Sequence, residues 1–253
     1  MSRSVLVTGA SRGIGRAIAT AFATAGDRVA VHYSAGRADA EDTLAGLPGT
    51  GHHLVAGDLA DPDAAERIVR TVVDTAGGVD VLINNAAVAT SVETYHPVAK
   101  TSYVDWVRIW RQAIDVNLLG AANVSYWAAR HMIDHGRGGR IVNVGSRGAY
   151  RGEPANPAYG ASKAGLHALG QSLAVSLAPY GIAVTSVAPG FVRTDRQRGT
   201  LGGPEGDRVR AQSPFNRVGE PEEVAAAVLY LASADAQWAS GAVLDLNGAS
   251  HLR

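Results

Sequence analysis

The chain has 253 residues, 46% of them hydrophobic and 18% charged, and its 23 Lys and Arg balance 23 Asp and Glu. This apolar content at zero net charge excludes an intrinsically disordered chain, and the length suits one α/β domain. The charge balance also argues against nucleic acid or an anionic membrane as the main partner. Without cysteine there is no disulfide, thiolate metal site or cysteine nucleophile, which fits a reducing cytoplasm.

The apolar runs of the chain are short. The first one, residues 5–7, begins too early to leave room for a signal peptide, and none approaches the ~20 residues that a membrane-spanning helix needs. We therefore expect a soluble, cytoplasmic protein that acts on a small molecule and has no nucleic-acid or membrane partner.

Segments rich in Val, Ile and Leu alternate with helix-like stretches, as in a parallel sheet covered by helices on both faces. The predicted strands are residues 3–8, 28–33, 53–57, 79–84, 139–145, 183–188 and 241–246. The predicted helices are residues 13–25, 62–75, 103–135, 157–178 and 221–233. The pattern predicts a Rossmann-type α/β fold, a doubly wound parallel sheet of seven strands, with residues 1–253 in a single domain.

Residues 190–219 are polar and irregular, and they contain several arginines and glycines. The segment leaves the carboxyl end of a predicted inner strand, where ligands bind in α/β folds. Long loops inside compact domains often serve as lids. We interpret this segment as a substrate lid; the alternative is a solvated surface excursion.

The first predicted strand runs directly into a glycine-rich turn, Thr8 to Gly15, and then into a helix. Glycine lets such a turn bend tightly and approach a pyrophosphate, while the helix N-terminus offers free N–H groups to the anion. The strand, turn and helix occur in the order that the motif requires. The turn therefore predicts a dinucleotide site rather than a purely structural turn.

Three side chains further along the chain carry the candidate chemistry. Tyr159 and Lys163 lie four residues apart on a predicted helix and therefore on one face, where the ammonium lowers the pKa of the phenol and makes it a usable acid or base. Ser146 ends an inner strand and is interpreted as a hydrogen-bond donor to a substrate oxygen, since no nucleophile elbow surrounds it. The alternatives are a structural Tyr and Lys pair and a serine that caps a helix or turn.

These motifs resemble those of the short-chain dehydrogenase/reductase family, and the resemblance covers essentially the whole chain. The matching pieces are the Thr8 to Gly15 turn, Asp58-Leu59, Asn84-Asn85-Ala86-Ala87, Asn117, Ser146, Tyr159 with Lys163, and Pro189-Gly190 followed by Thr194. The resemblance implies that Ser146 orients the carbonyl or hydroxyl, Tyr159 transfers the proton and Lys163 also binds the nicotinamide ribose. It implies too that Asn117 holds a water in the proton relay.

The resemblance further implies a cofactor site. The residues expected to contact the cofactor are Gly9, Ser11, Arg12, Gly13, Ile14, Gly15, Tyr33, Ser34, Asp58, Leu59, Asn85, Ala86, Ala87, Tyr159, Lys163, Pro189, Gly190, Val192 and Thr194. The ribose-binding Asp of the family falls near Tyr33, where this chain has no acid, while Arg12 and Arg37 are placed to accept a 2′-phosphate. We therefore expect NADP(H) to be preferred, with NAD(H) as the alternative.

Several functions remain open within this resemblance. We expect a carbonyl reductase or secondary-alcohol dehydrogenase; the chain also resembles 3-oxoacyl carrier-protein reductases through the Arg217 to Glu223 segment, and sugar or polyol dehydrogenases share these features. An alternative of another class is a regulator that senses NADP(H) without turnover, which would need only the phosphate turn. The family implies a homodimer or homotetramer through the two long helices.

The chain departs from the family pattern at two places. Ala87 replaces a glycine, and the stretch around residues 95–106 is longer than in the family. Tyr95, His96 or Tyr103 is expected either to border the substrate pocket or to pack against the long helix. The remaining histidines, among them the His52-His53 and His131-His135 pairs, form no metal-ligand pattern, so we expect no metal. Trp106, Trp110 and Trp127 are expected in the core or at a subunit contact.

Overall fold

Seven parallel strands form one sheet in the computed structural model, which describes residues 2–88 and 90–253. The strands are β1 Ser4–Val7, β2 Arg28–Tyr33, β3 His53–Ala56, β4 Val81–Asn84, β5 Gly139–Val144, β6 Ile182–Pro189 and β7 Val243–Leu246. Their order across the sheet is β3-β2-β1-β4-β5-β6-β7, and every neighbouring pair is parallel. The predicted fold class is confirmed, with strand ends within a few residues of those expected.

Helices cover both faces of the sheet. They are α1 Gly13–Thr24, α2 Arg37–Ala45, α3 Pro62–Ala76, α4 Tyr103–Ile114, α5 Ala121–His135, α6 Gly148–Arg151, α7 Pro157–Leu177, α8 Arg198–Gly202, α9 Gly206–Arg210 and α10 Pro221–Leu231. One buried cluster joins α1, α2 and α10 to the sheet, and a second joins α3, α5 and α7 to the opposite face. In β1, Val5 and Val7 belong to the first cluster and Leu6 to the second, as the two-residue period of a strand requires.

The structure interrupts one predicted helix and adds helix α2, which the sequence did not predict. The helix predicted over residues 103–135 is interrupted by a π-helical turn, Asp115–Gly120, which separates α4 from α5. Helix α2 was not predicted, because it buries only Ala40 and Thr43 and so lacks an apolar stripe. The π-helical turn packs closely on the loop after β3: a Cβ on Gly120 would lie 2.7 Å from the carbonyl oxygen of Leu59.

The segment 190–219 is more regular than its composition suggests. It contains α8 and α9, and a parallel bridge joins Val192 to Gly219 at its two ends. Leu201, Val209 and Val218 form a small buried cluster of their own, against which Phe191 packs. The segment is thus a folded excursion with its own apolar contacts, and its action as a lid is taken up below as part of the proposed function.

The longer stretch before α4 attaches to helix α7 through His96, which is 1% exposed. Its Nε2 accepts a hydrogen bond from Ala158 N–H at 3.1 Å, so Nδ1 carries the proton and donates to the Thr94 carbonyl at 2.6 Å. Trp106 packs edge-on against the imidazole. His96 therefore packs against the helices, whereas Tyr95 is exposed and the residues lining the cleft described below include none of the three candidates from this stretch.

Replacing His96 with Ala leaves the buried Ala158 N–H, next to Tyr159, without its acceptor. We expect His96→Ala to lower the free energy of unfolding by about 1–3 kcal/mol, measured by urea denaturation. Tyr95→Ala is the matched control, since Tyr95 is 51% exposed and surface changes have small effects. Equal stability of the two variants would contradict this role of His96.

Candidate active site

The strand order reverses between β1 and β4, and a cleft of about 720 Å³ opens there at the carboxyl edge of the sheet. In α/β sheets such a switch point is where ligands bind. Ser146 and every residue expected to contact the cofactor line this cleft: Gly9, Ser11, Arg12, Gly13, Ile14, Gly15, Tyr33, Ser34, Asp58, Leu59, Asn85, Ala86, Ala87, Tyr159, Lys163, Pro189, Gly190, Val192 and Thr194. Arg37 and Asn117 are not among the lining residues.

The glycine-rich turn after β1 is packed too tightly for side chains. Gly9 has φ +63°, and a Cβ there would lie 2.8 Å from the Ala86 Cα. A Cβ on Gly15 would overlap the Gly9 carbonyl oxygen. The amide of Asn85 secures the turn by donating to the carbonyls of Thr8 at 2.9 Å and Gly9 at 3.0 Å. The backbone of the turn is therefore held at the cleft surface.

The N-terminus of α1, which follows this turn, fits an anionic group. Arg12 at its N-cap makes no capping hydrogen bond, and its first turn has no acid. By contrast, Asp61 caps α3 and Ser102 caps α4 through their side chains. The N–H groups at the start of α1 therefore lack the side-chain acceptor that those helices have, and they face a cleft that would hold a pyrophosphate.

His32, near the end of β2, is 1% exposed and supports the turn from below. Its Nδ1 accepts from Gly9 N–H at 3.1 Å, which leaves Nε2 protonated and donating to the Gly57 carbonyl at 3.1 Å. Burial lowers the pKa of His32 to about 4, against the weaker opposing effects of the Gly57 bond and Asp58. A neutral imidazole thus links the turn to the loop after β3.

The three candidate catalytic side chains line the same cleft: Ser146 follows β5, and Tyr159 and Lys163 lie in the first two turns of α7. Ser146 Oγ accepts from Gly148 N–H at 3.0 Å, which fixes the oxygen and leaves the hydroxyl proton to donate into the cleft. Lys163 Nζ lies 6.0 Å from the centre of the Tyr159 ring. The one-turn spacing on α7 places Tyr159 and Lys163 on one face, as predicted.

Lys163 is buried at the end of β5. It is 2% exposed, and its Nζ donates to the Val144 carbonyl at 2.8 Å. Burial lowers the pKa of Lys163 to about 8. The ammonium is therefore mostly protonated at neutral pH, yet it sits in a site of low polarity where its charge acts strongly on its neighbours.

Asn117 lies in the π-helical turn and is fully buried. Its Oδ1 accepts from Val88 N–H at 2.7 Å, and its Nδ2 donates to the Val88 carbonyl at 3.2 Å and to Ser162 Oγ at 3.0 Å. The amide thus joins the loop after β4 to α7, next to Lys163. Its expected water-holding role stays a prediction, and the structure adds a positioning role.

The adenosine end of the cleft contains a residue that the sequence did not single out. Asp39, in the unpredicted helix α2, lines the cleft, and its Oδ2 lies 3.9 Å from Arg12 Nη1. Arg37 instead pairs with Glu41 at 2.8 Å, and this bond is the largest factor that raises the pKa of Arg37. Only one of the two arginines expected at a 2′-phosphate therefore borders the cleft.

Other residues missed in the sequence line the opposite, substrate end: Gln112, Arg147, Glu153, Asn156 and Phe191. Within residues 2–88 and 90–253 there is no group of three His, Cys, Asp or Glu side chains able to hold a metal ion. In the same part of the chain, no helix combines the length and apolar character needed to cross a membrane.

Comparison with known proteins gives a family and close relatives. A family model described as enoyl-(acyl carrier protein) reductase matches residues 9–251. The L-rhamnose 1-dehydrogenase (NAD(P)(+)) of Azotobacter vinelandii is 38% identical over 98% of this chain and 96% of its own. The acetoacetyl-CoA reductase of Rhizobium meliloti is 35% identical over 100% of both chains. A dehydrogenase/reductase from Sinorhizobium meliloti superposes with a TM-score of 0.86 at 30% identity, covering 100% of this chain and 96% of that chain.

The buried histidines predict how stability depends on pH. His32 titrates near 6.5 when unfolded and near 4 when folded, so the unfolded state binds more protons between these values. The contribution of His32 to the free energy of unfolding is therefore fully present above pH 6.5. It falls by up to about 1.4 kcal/mol per pH unit as the pH is lowered toward 4. His167, whose pKa is likewise lowered to about 4 chiefly by burial, acts in the same direction.

His32→Gln separates the two contributions. Glutamine offers an acceptor to Gly9 N–H and a donor to the Gly57 carbonyl, but it does not titrate. We expect a flatter loss of stability for this variant than for the wild type in urea denaturation between about pH 7 and pH 5. Parallel pH profiles for the two proteins would contradict the assignment to His32.

Proposed function

The chain belongs to the short-chain dehydrogenase/reductase family, and we propose that it is a carbonyl reductase that transfers a hydride between NADP(H) and a ketone or secondary alcohol. Oxidoreductase action at a carbonyl or alcohol group comes with the family. The observation that carries the proposal is that Ser146, Tyr159 and Lys163 line the same cleft as the glycine-rich turn.

The residues of the cleft fit a nicotinamide dinucleotide. The uncapped start of α1 and the glycine-rich turn would hold its pyrophosphate, and Asp58 would contact the adenine. Lys163 would bind the nicotinamide ribose, and Thr194 would meet the carboxamide. When bound, the cofactor supplies or accepts the hydride, while the protein orients the substrate and moves the proton.

Ser146 and Tyr159 act on the substrate oxygen. The Ser146 hydroxyl, held through Gly148 N–H, donates to that oxygen and orients it. Tyr159 gives its proton to the oxygen in reduction and takes it back in oxidation. The buried Lys163 ammonium favours negative charge on the Tyr159 oxygen, and these donors together stabilise the alkoxide character that develops.

Arg12 supports a preference for NADP(H) over NAD(H). It borders the adenosine end of the cleft and is 59% exposed along its side chain, and its one ion pair with a described residue is the 3.9 Å contact to Asp39. It is therefore free to turn toward a 2′-phosphate, and the end of β2 presents Tyr33 and Ser34 rather than an acid. Asp39 favours the alternative, since its carboxylate borders the same end and suits a ribose hydroxyl.

The substrate is proposed only as a small carbonyl or alcohol compound. One relative is named for a sugar and another for a 3-oxoacyl thioester, so the relatives do not select between these classes. A regulator that only senses NADP(H) has no use for a buried lysine and an oriented serine in the same cleft. The segment 190–219, which contributes Phe191, Val192 and Thr194 to the cleft, is proposed as the substrate lid.

The two long helical regions support assembly into a homodimer or homotetramer. Leu119, Tyr126 and Val175 lie there with 48%, 58% and 79% of their surface exposed. Apolar side chains in such a position favour self-association. Trp127 packs edge-on against Tyr126 in the same region and is proposed as part of that contact.

Tyr159→Phe removes the proton donor and keeps the ring. We expect turnover with NADPH and a ketone to fall by roughly 10²–10⁴-fold, with cofactor binding retained. The exposed Tyr180, near the far end of α7, gives the control variant Tyr180→Phe. Turnover is measured by the change in NADPH absorbance, and near-normal turnover of Tyr159→Phe would contradict the mechanism.

Arg12→Ala tests the cofactor preference. We expect its KM for NADP(H) to rise roughly tenfold and its KM for NAD(H) to change little, because only the former carries the phosphate. Arg37→Ala serves as the control, since Arg37 pairs with Glu41 and does not line the cleft. If Arg12→Ala weakened both cofactors equally, the charge argument would be wrong.

A further inference from the structure

Arg147 follows the catalytic Ser146 directly and is the most buried arginine that the structure describes, with 5% of its surface exposed. Its guanidinium donates to Ser250 Oγ and to Gln212 Oε1, both of them neutral oxygens. No Asp or Glu oxygen of the described residues lies within 4.0 Å of it. Arg147 is therefore a buried cation without an anionic partner.

The other arginines around it are differently placed. The acids that line the neighbouring cavity of about 290 Å³ are Glu220, Glu223 and Asp245. Each is paired with a separate arginine: Glu220 with Arg193, Glu223 with Arg217 and Asp245 with Arg253. Each of these pairs is neutral, so none of the three carboxylates is left to pair with Arg147.

Two further charged groups face this guanidinium from α6 and the turn after it. Arg151 donates to the same Gln212 oxygen at 3.1 Å, so two cations converge on one neutral amide. Glu153 lies within electrostatic range and borders the cleft, but burial raises its pKa. Two positive groups against one buried acid leave this corner of the cleft with unbalanced positive charge.

The position of Arg147 connects it with the main cleft. Arg147, Phe191 and Val192 line both that cleft and the smaller cavity, so the two spaces adjoin at these residues, and Arg147 directly follows Ser146 in the chain. The Phe191 ring lies 5.1 Å from the guanidinium carbon and offers partial stabilisation. A substrate held at Ser146 and Tyr159 can therefore extend a substituent toward Arg147.

We propose that Arg147 is the counter-ion for a carboxylate on the substrate, so that the enzyme acts on small oxo acids and hydroxy acids in preference to neutral ketones and alcohols. A guanidinium binds a carboxylate through two parallel hydrogen bonds, and burial strengthens that pair. Merely joining Gln212 of the lid segment to Ser250 of the tail would need no buried charge, which is costly when unpaired. This inference rests on the proposed function.

The test is a matched substrate series with NADPH, in which each oxo acid is compared with its methyl ester or amide, for example acetoacetate with methyl acetoacetate. We expect the wild type to favour the acids by roughly 10- to 100-fold in kcat/KM. Arg147→Met should lose that preference while still reducing the esters, and Arg147→Lys should retain part of it. Arg208→Met is the control, because it removes an exposed lid charge that pairs with Glu205.

A second measurement, on the wild type alone, tests the proposal even if Arg147→Met folds poorly. Malonate should inhibit the wild type competitively against the carbonyl substrate, and neutral malonamide should not. Equal turnover of acids and esters by the wild type, or loss of both to the same extent in a folded Arg147→Met, would overturn the counter-ion role while leaving the reductase intact. An enzyme that reduces neither acids nor esters would instead overturn the proposed function and this inference with it.

Discussion

The bond from the Lys163 ammonium to the Val144 carbonyl, 2.8 Å long, fixes the relation between helix α7 and strand β5, which ends two residues before Ser146. Because the lysine is buried, its charge has few partners, and the main-chain oxygen at the end of β5 is one of them. A movement of α7 relative to the sheet would therefore expose the ammonium or leave it buried without its hydrogen bond. The requirement for a hydrogen-bonded ammonium thus keeps Tyr159 on α7 and Ser146 after β5 in a constant relation to each other.

Two buried histidines, His32 and His96, also hold separate segments of the cleft together. His32 accepts a hydrogen bond from Gly9 N–H in the glycine-rich turn, and His96 accepts one from Ala158 N–H at the start of α7. Both imidazoles are buried and both pass their remaining N–H to a backbone carbonyl. Each joins two segments that are distant in sequence, and so the two walls of the cleft are supported from inside the fold rather than by surface contacts.

The sequence was most informative where a residue type is dictated by its immediate neighbours along the chain. The strands follow from their apolar runs, and the turn at Gly9 and the Tyr159 and Lys163 spacing follow from local geometry. The sequence was silent where partners are remote. Helix α2 has almost no buried stripe, the π-helical turn depends on packing against Leu59, and the burial of His32 and Arg147 depends on segments far away in the chain. Arg37 was expected at the 2′-phosphate, but it pairs instead with Glu41, four residues further along the same unpredicted helix.

Residues 190–219 have a buried apolar cluster of their own beside the main core. Leu201, Val209 and Val218 bury one another, and the chain enters and leaves the segment side by side at Val192 and Gly219. Insertions, deletions or wholesale exchange between those two points need not disturb the seven strands. An exchange that retains Thr194 can therefore alter the wall of the cleft that this segment forms, while Ser146, Tyr159 and Lys163 lie on other elements of the fold.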